Sequence, residues 1–143
     1  MKTKFFRCKH CGNVIVKIVD SDVVPFCCGA EMEELVPHTS EMAFEKHQPM
    51  VRSVVPTAGN EGCATPCKEG GTHLMVIVGS VEHPMTEEHH IEFIYLETRK
   101  GGSFVKLNAG ERPQTVFSAK RDDVTAVYAY CNLHGLWMND KLQ

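Results

Sequence analysis

The sequence predicts a mainly β protein: a small module stapled by four cysteines, followed by an antiparallel β-sandwich. Three observations predict it. Four cysteines fall between residues 8 and 28 around one apolar alternation. From about residue 50 onward, β-branched and aromatic runs alternate partially with polar residues and are broken by Gly-, Asn- and Pro-rich turns. No segment offers a convincing amphipathic helix.

Taken in order, residues 4–36 contain Cys8, Cys11, Cys27 and Cys28 and the run "VIVKIVD". A segment that short cannot build a hydrophobic core of its own and needs a staple such as a metal. The stretch "PHTSEMAF", residues 37–44, reads as a linker. Beyond it, "VRSVVP", "HLMVIVGSVE", "HIEFIYLETR", "SFVKLN", "QTVFSAK" and "TAVYAYCN" read as strands, separated by "GNEG", "KEGG", "RKGG", "NAGERP" and "KRDD". Six or seven short antiparallel strands at this spacing form a sandwich. The boundaries drawn are residues 1–37 for the module and 38–143 for the sandwich.

The 143 residues are 43% hydrophobic and 23% charged, the composition of a globular protein. A net charge of -3, with residues 1–40 summing to zero, argues against bulk nucleic-acid binding, and no polybasic arm addresses an anionic membrane. No apolar run approaches the ~18 residues of a membrane span, and no apolar stretch follows the basic N-terminus "MKTKFFRCKHCG" as a signal peptide requires. The expected compartment is the cytoplasm, where thiols stay reduced and seven cysteines suit metal ligation better than disulfides.

Cys8-x-x-Cys11 followed by Cys27-Cys28 supplies four sulfurs to one ion. Zn(II) and iron both fit four thiolates. The adjacency of Cys27 and Cys28 departs from the usual pair of Cys-x-x-Cys knuckles and should distort the tetrahedron. The bland alternative is four reduced cysteines in a small core.

A second set of donors is scattered: Glu45, Lys46 and His47 in "FEKHQP", His83, His89 and His90 in "VEHPMTEEHHIEF", and Cys131 and His134 in "CNLHGLW". Singly, each histidine is an ordinary surface or hydrogen-bonded residue. Together, they lie in or beside the turns that interrupt apolar strands, so one end of the sandwich can gather them. Strand alternation places residues 89, 91, 93 and 95 on one face and 90, 92, 94 and 96 on the other. Both faces are partly apolar, so pattern alone does not choose between His89 and His90.

The order Glu-Lys-His, then His-Pro-Met-x-x-x-His, then Cys-Asn-x-His-Gly-x-Trp resembles the superoxide reductases. The Cys-x-x-Cys…Cys-Cys segment resembles desulforedoxin, and the two in series resemble desulfoferrodoxin, the two-iron superoxide reductase. The resemblance spans nearly the whole chain. It implies a desulforedoxin-like FeS4 module and an immunoglobulin-like seven-stranded sandwich, assembled as a homodimer. It implies two mononuclear iron sites per chain, with zinc an alternative at the four-cysteine site. Cys8, Cys11, Cys27 and Cys28 match the FeS4 ligands. His47, His83, His89 and His134 match the equatorial ligands of the catalytic iron, and Cys131 its axial thiolate, leaving His90 unliganded. Glu45 and Lys46 match the pair beside the open position. The activity implied is one-electron reduction of superoxide to hydrogen peroxide, with a rubredoxin-like electron donor.

The chemistry suits these groups. Superoxide is a small anion that must gain one electron and two protons. A lysine attracts it and holds a proton-supplying water. Glu45, itself an anion, is implied to occupy the sixth position of the oxidised iron once peroxide has left. The bland reading of Glu45-Lys46 is a solvated charge couple. Three features depart from the family pattern. Phe93 stands where the family has Trp, the connection over residues 57–73 is long, and that connection carries Cys63 and Cys67. A redox-active disulfide, an adventitious metal site and two exposed thiols all remain open for the pair. His10 and His73 are not assigned as ligands. Competing functions are an electron-transfer protein whose sandwich site is inactive and a zinc-ribbon interaction protein.

Overall fold

The structure is a computed structural model that describes residues 2–39, 44–54 and 73–142; Cys63 and Cys67 lie outside the described residues. The chain divides into two compact units, Met1–Pro37 and His38–Gln143.

The first unit is built from five short strands: β1 (Lys4–Arg7), β2 (Val14–Lys17), β3 (Phe26–Cys27), β4 (Ala30–Glu31) and β5 (Glu33–Glu34). β1 lies between β2 and β5, and β3 pairs with β4, all antiparallel. Its interior cluster is small: Phe6, Cys8 and Met32, edged by Ile15 and Cys27. The apolar alternation does not run as one strand to Asp20. It stops at Lys17, whose ammonium turns back onto the carbonyls of Ser21 (2.5 Å) and Val23 (2.6 Å). Ile18 and Val19 are left exposed. So little buried apolar surface cannot offset the ordering of this segment unaided.

The second unit begins with a single turn of helix, α1 (Phe44–His47). Among the described residues seven strands follow: β6 (Pro49–Val54), β7 (His73–Val78), β8 (Ile91–Thr98), β9 (Gly101–Lys106), β10 (Gln114–Ser118), β11 (Val124–Cys131) and β12 (Gly135–Asn139). They form two antiparallel sheets, β10-β7-β6 and β12-β11-β8-β9. Between the sheets Val76, Val78, Ile94, Leu96, Phe117, Val127, Ala129 and Cys131 close the core. On β7 the alternation is clean: Leu74, Val76 and Val78 are fully buried.

β12 is not among the six strands expected from the sequence. Its first residue, Gly135, pairs with Cys131, so Asn132, Leu133 and His134 form a three-residue hairpin loop. Gly135 adopts φ +79°, the left-handed conformation that such a loop demands and that glycine reaches without a Cβ clash.

On β8 the period of two breaks. Tyr130 pairs with Phe93, but its neighbour Cys131 pairs with Ile91, leaving Glu92 as a bulge. Ile91 and Ile94 therefore both reach the core, though three residues apart. At Phe93 the ring stacks on Tyr130 at 5.2 Å and 15°, so an aromatic still packs there.

Glu97 is buried, with its carboxylate accepting from the Thr125 hydroxyl at 2.7 Å and the Tyr128 hydroxyl at 3.3 Å. Tyr128→Phe keeps the ring and removes one of these donors. It is expected to cost about 1–3 kcal/mol, read as a lower urea midpoint at unchanged slope.

Candidate metal sites

The sulfur cluster depends on an unusual backbone. Cys28 takes φ +51° and Gly29 φ +75°. A left-handed residue directly after Cys27 reverses the chain within one step and turns adjacent thiols toward a common point. Adjacent ligands are thus accommodated by a left-handed backbone step at Cys28. Cys11 Sγ lies 3.6 Å from Cys27 Sγ, and Cys27 Sγ 3.9 Å from Cys28 Sγ. All four sulfurs fall within 4.8 Å of one another. A tetrahedron with metal–sulfur bonds of about 2.3 Å has edges of about 3.8 Å, so the array fits one ion.

The Cys11 amide, together with neighbouring donors, brings Cys8 down to about 6, while the thiols of Cys11 and Cys27 push Cys28 up to about 12. The Cys8 thiolate forms readily; Cys27 and Cys28 need a cation to shed their protons.

The second group forms at one end of the sandwich. His47 arrives from α1, His83 and His89 from the β7–β8 connection, and Cys131 and His134 from the β11–β12 hairpin. Their five donor atoms lie within 4.8 Å of one another, and no other group of three or more donors is found among the described residues beyond the four cysteines. His47 Nε2 is 3.1 Å from His134 Nδ1, and the latter is 3.6 Å from Cys131 Sγ. Two nitrogen donors bound at about 2.1 Å and right angles to one ion would lie about 3.0 Å apart.

Three observations identify lone pairs aimed inward. His83 Nδ1 donates to the Pro84 carbonyl at 2.6 Å, which leaves Nε2 as the unprotonated, ligating nitrogen. His83 Nε2 and His89 Nε2 are buried with no hydrogen-bond partner among the described residues. Burial, reinforced by the surrounding imidazoles, lowers His83 to about 4, and burial with His134, His90 and Lys46 nearby lowers His89 as well. Neutral imidazoles packed around unpaired lone pairs suit a cation. Burial pushes the Cys131 thiol up, offset in part by the His134 and Leu133 amides aimed at its sulfur. This donor set fits a redox-capable first-row metal.

His90 takes no part. Its Nδ1 donates to the Thr86 carbonyl at 2.9 Å, away from the cluster. Glu45 and Lys46 occupy exposed positions on α1, immediately before His47. The Lys46 charge is close enough to be felt at His89.

Several contributors have no role that the sequence alone assigns. Trp137 stacks flat on His47, 4.6 Å between centroids at 14°, and the His38 ring packs against Trp137 at 4.8 Å. Asn132 braces two ligand loops: its Oδ1 accepts from the His90 amide at 3.0 Å and its Nδ2 donates to the Glu88 carbonyl at 2.9 Å. The "CNLHGLW" motif contains both Asn132 and Trp137, but only the hairpin reveals what they touch.

The sequence model of the desulfoferrodoxin family matches residues 39–140. The desulfoferrodoxin of Nitratidesulfovibrio vulgaris is 38% identical, covering 94% of this chain and 93% of its own. A desulfoferrodoxin homolog of Methanothermobacter thermautotrophicus is 35% identical, covering 94% and 95%. Among solved structures, the superoxide reductase of Treponema pallidum superposes with a TM-score of 0.71 at 30% identity, over 96% of this chain and 97% of that one.

At the five-donor site the group that keeps its proton is Cys131, so metal uptake must displace it. With the four-cysteine site already loaded, apparent affinity is expected to rise about tenfold per pH unit from about pH 7.5 to 8.5, with about one proton released per metal by calorimetry in two buffers. At the other site, Cys11→Ser or a strong chelator is expected to unfold residues 2–37. Amide exchange there should reach the unfolded rate while the β7 and β11 amides stay protected.

Proposed function

The chain belongs to the desulfoferrodoxin family, and from that premise we propose that it is a superoxide reductase with two mononuclear iron centres. The observation that carries the reading is the convergence of four imidazoles and one thiol within 4.8 Å, beside the exposed Lys46. Iron(II) held by these five donors would supply the single electron and a place where a small anion binds.

The chain's own residues do the rest. His47, His83, His89 and His134 hold the ion as neutral donors, and the lowered basicity of His83 and His89 keeps them from carrying protons instead. Trp137 and the Pro84 carbonyl fix two of the rings. Cys131 would hold the ion as a thiolate and so supply negative charge from the sandwich interior. Lys46 attracts the anionic substrate and orients a water that delivers protons. Glu45, itself an anion, would bind the oxidised ion between turnovers rather than help capture the substrate. The balance is one superoxide, one electron and two protons to one hydrogen peroxide. The electron is restored by a small rubredoxin-like carrier.

Residues 1–37 form an FeS4 module in this reading and 38–143 the reducing domain, in a cytoplasmic homodimer. Zinc in place of iron at the four-cysteine site would leave the reaction chemistry untouched.

The deciding test is a visible spectrum of air-purified protein before and after reduction, with metal analysis and pulse radiolysis. The expected result is iron–thiolate bands that bleach on reduction, about two irons per chain, and fast consumption of superoxide. A protein that stays colourless and unreactive after iron reconstitution refutes the reading. Lys46→Ala is expected to lower the second-order rate constant about tenfold at low ionic strength and to flatten its salt dependence, with the reduced iron content unchanged.

A further inference from the structure

Helix α1 is one turn long, and an isolated turn has no means of holding itself, since its terminal carbonyls lack intrahelical partners. What holds it is the turn that leaves β7. The Ser80 amide donates to the Glu45 carbonyl at 2.7 Å, the Ser80 hydroxyl donates to the same oxygen at 3.1 Å, and the Val81 amide reaches it at 3.4 Å. The Gly79 amide donates to the Gln48 carbonyl at 2.9 Å. The middle of the contact is backbone against backbone. A Cβ on Gly79 would lie 2.6 Å from the Lys46 carbonyl oxygen and would collide with the Val81 carbonyl, and its φ of +86° already belongs to glycine.

The helix is thus gripped through its main chain, while the side chains of Glu45 and Lys46 stay exposed. The same turn runs on directly to His83. A shift in its position changes the placement of the charged pair relative to a ligand of the five-donor site.

We propose that the Gly79–Ser80–Val81 turn is a clasp that positions the Glu45-Lys46 pair, and that the Ser80 hydroxyl is its adjustable element. This rests on the superoxide reductase reading, in which Lys46 acts on the substrate. Ser80 is a positioning residue: it touches neither substrate nor the donor atoms, and it acts through Lys46.

The test compares the full-length, metal-loaded wild type with Ser80→Ala, Ser80→Thr, Lys46→Ala and the Ser80→Ala/Lys46→Ala double variant. Ser80→Ala is expected to retain its metal content and absorption bands. Amide exchange at residues 80 and 81 should become faster, with β11 unchanged, and the second-order rate constant with superoxide should fall roughly threefold to tenfold at low salt. Ser80→Thr, which keeps the hydroxyl, should behave as wild type. In the Lys46→Ala background, Ser80→Ala should cause no further fall, because the two residues act in one step. A rate loss in the double variant equal to the product of the single losses would overturn the proposal, as would unchanged exchange in Ser80→Ala. Should the iron-loaded wild type fail to consume superoxide, the enzymatic reading falls. Exchange then still decides the clasp: unchanged exchange in Ser80→Ala overturns it, and faster exchange upholds it.

Discussion

A buried lone pair needs a partner, and this constraint governs the sandwich. His83 Nε2 and His89 Nε2 are buried with no hydrogen-bond partner among the described residues, beside the His47–His134 ring contact at 3.1 Å and the Cys131–His134 contact at 3.6 Å, an arrangement that is costly unless a cation sits among them. The protein supports that cost with rigid parts. Cys131 ends the buried strand β11, His134 sits in a three-residue hairpin closed by Gly135, and His47 lies flat against Trp137. Asn132 then ties the hairpin to the loop that carries His89. Without a cation these elements would stay in place and leave the two buried nitrogens unsatisfied, which is the physical basis of a preorganised site.

The first unit answers the same constraint differently. Its buried cluster is three residues, one of them Cys8, so its cysteines are structure as much as site. The cost of adjacent ligands is carried by one left-handed residue, Cys28, a conformation that no other described non-glycine position shares. In the sandwich the fold makes the site; in the small unit the site makes the fold.

Helix α1 is held mainly through its backbone, with the Ser80 hydroxyl as the one side-chain contribution described. In the proposed function Lys46 needs a mobile, hydrated side chain to meet an anion, yet its placement matters. Gripping α1 by its carbonyls meets both needs, and it explains why Gly79 and Ser80 carry no recognisable chemistry of their own. A single helical turn has no intrinsic reason to form outside that contact.

The sequence by itself determined the fold class, because alternating β-branched runs separated by turn residues leave few other solutions, and it singled out the candidate donors by residue type and spacing. It left three matters to the tertiary structure. Pattern alone does not separate His89 from His90, because both faces of the strand are partly apolar, and the Glu92 bulge then resets the alternation in a pairing event invisible to local pattern. Strand β12 went unread because its short run begins inside the hairpin that carries the ligands, and only pairing with β11 makes it a strand. The supporting contacts of Ser80, Asn132 and Trp137 join residues 35 to 90 positions apart in the chain, from the Ser80 hydroxyl at the Glu45 carbonyl to the Trp137 ring on His47. Such contacts follow from where strands end in space, which is decided by register and packing rather than by any stretch of sequence alone.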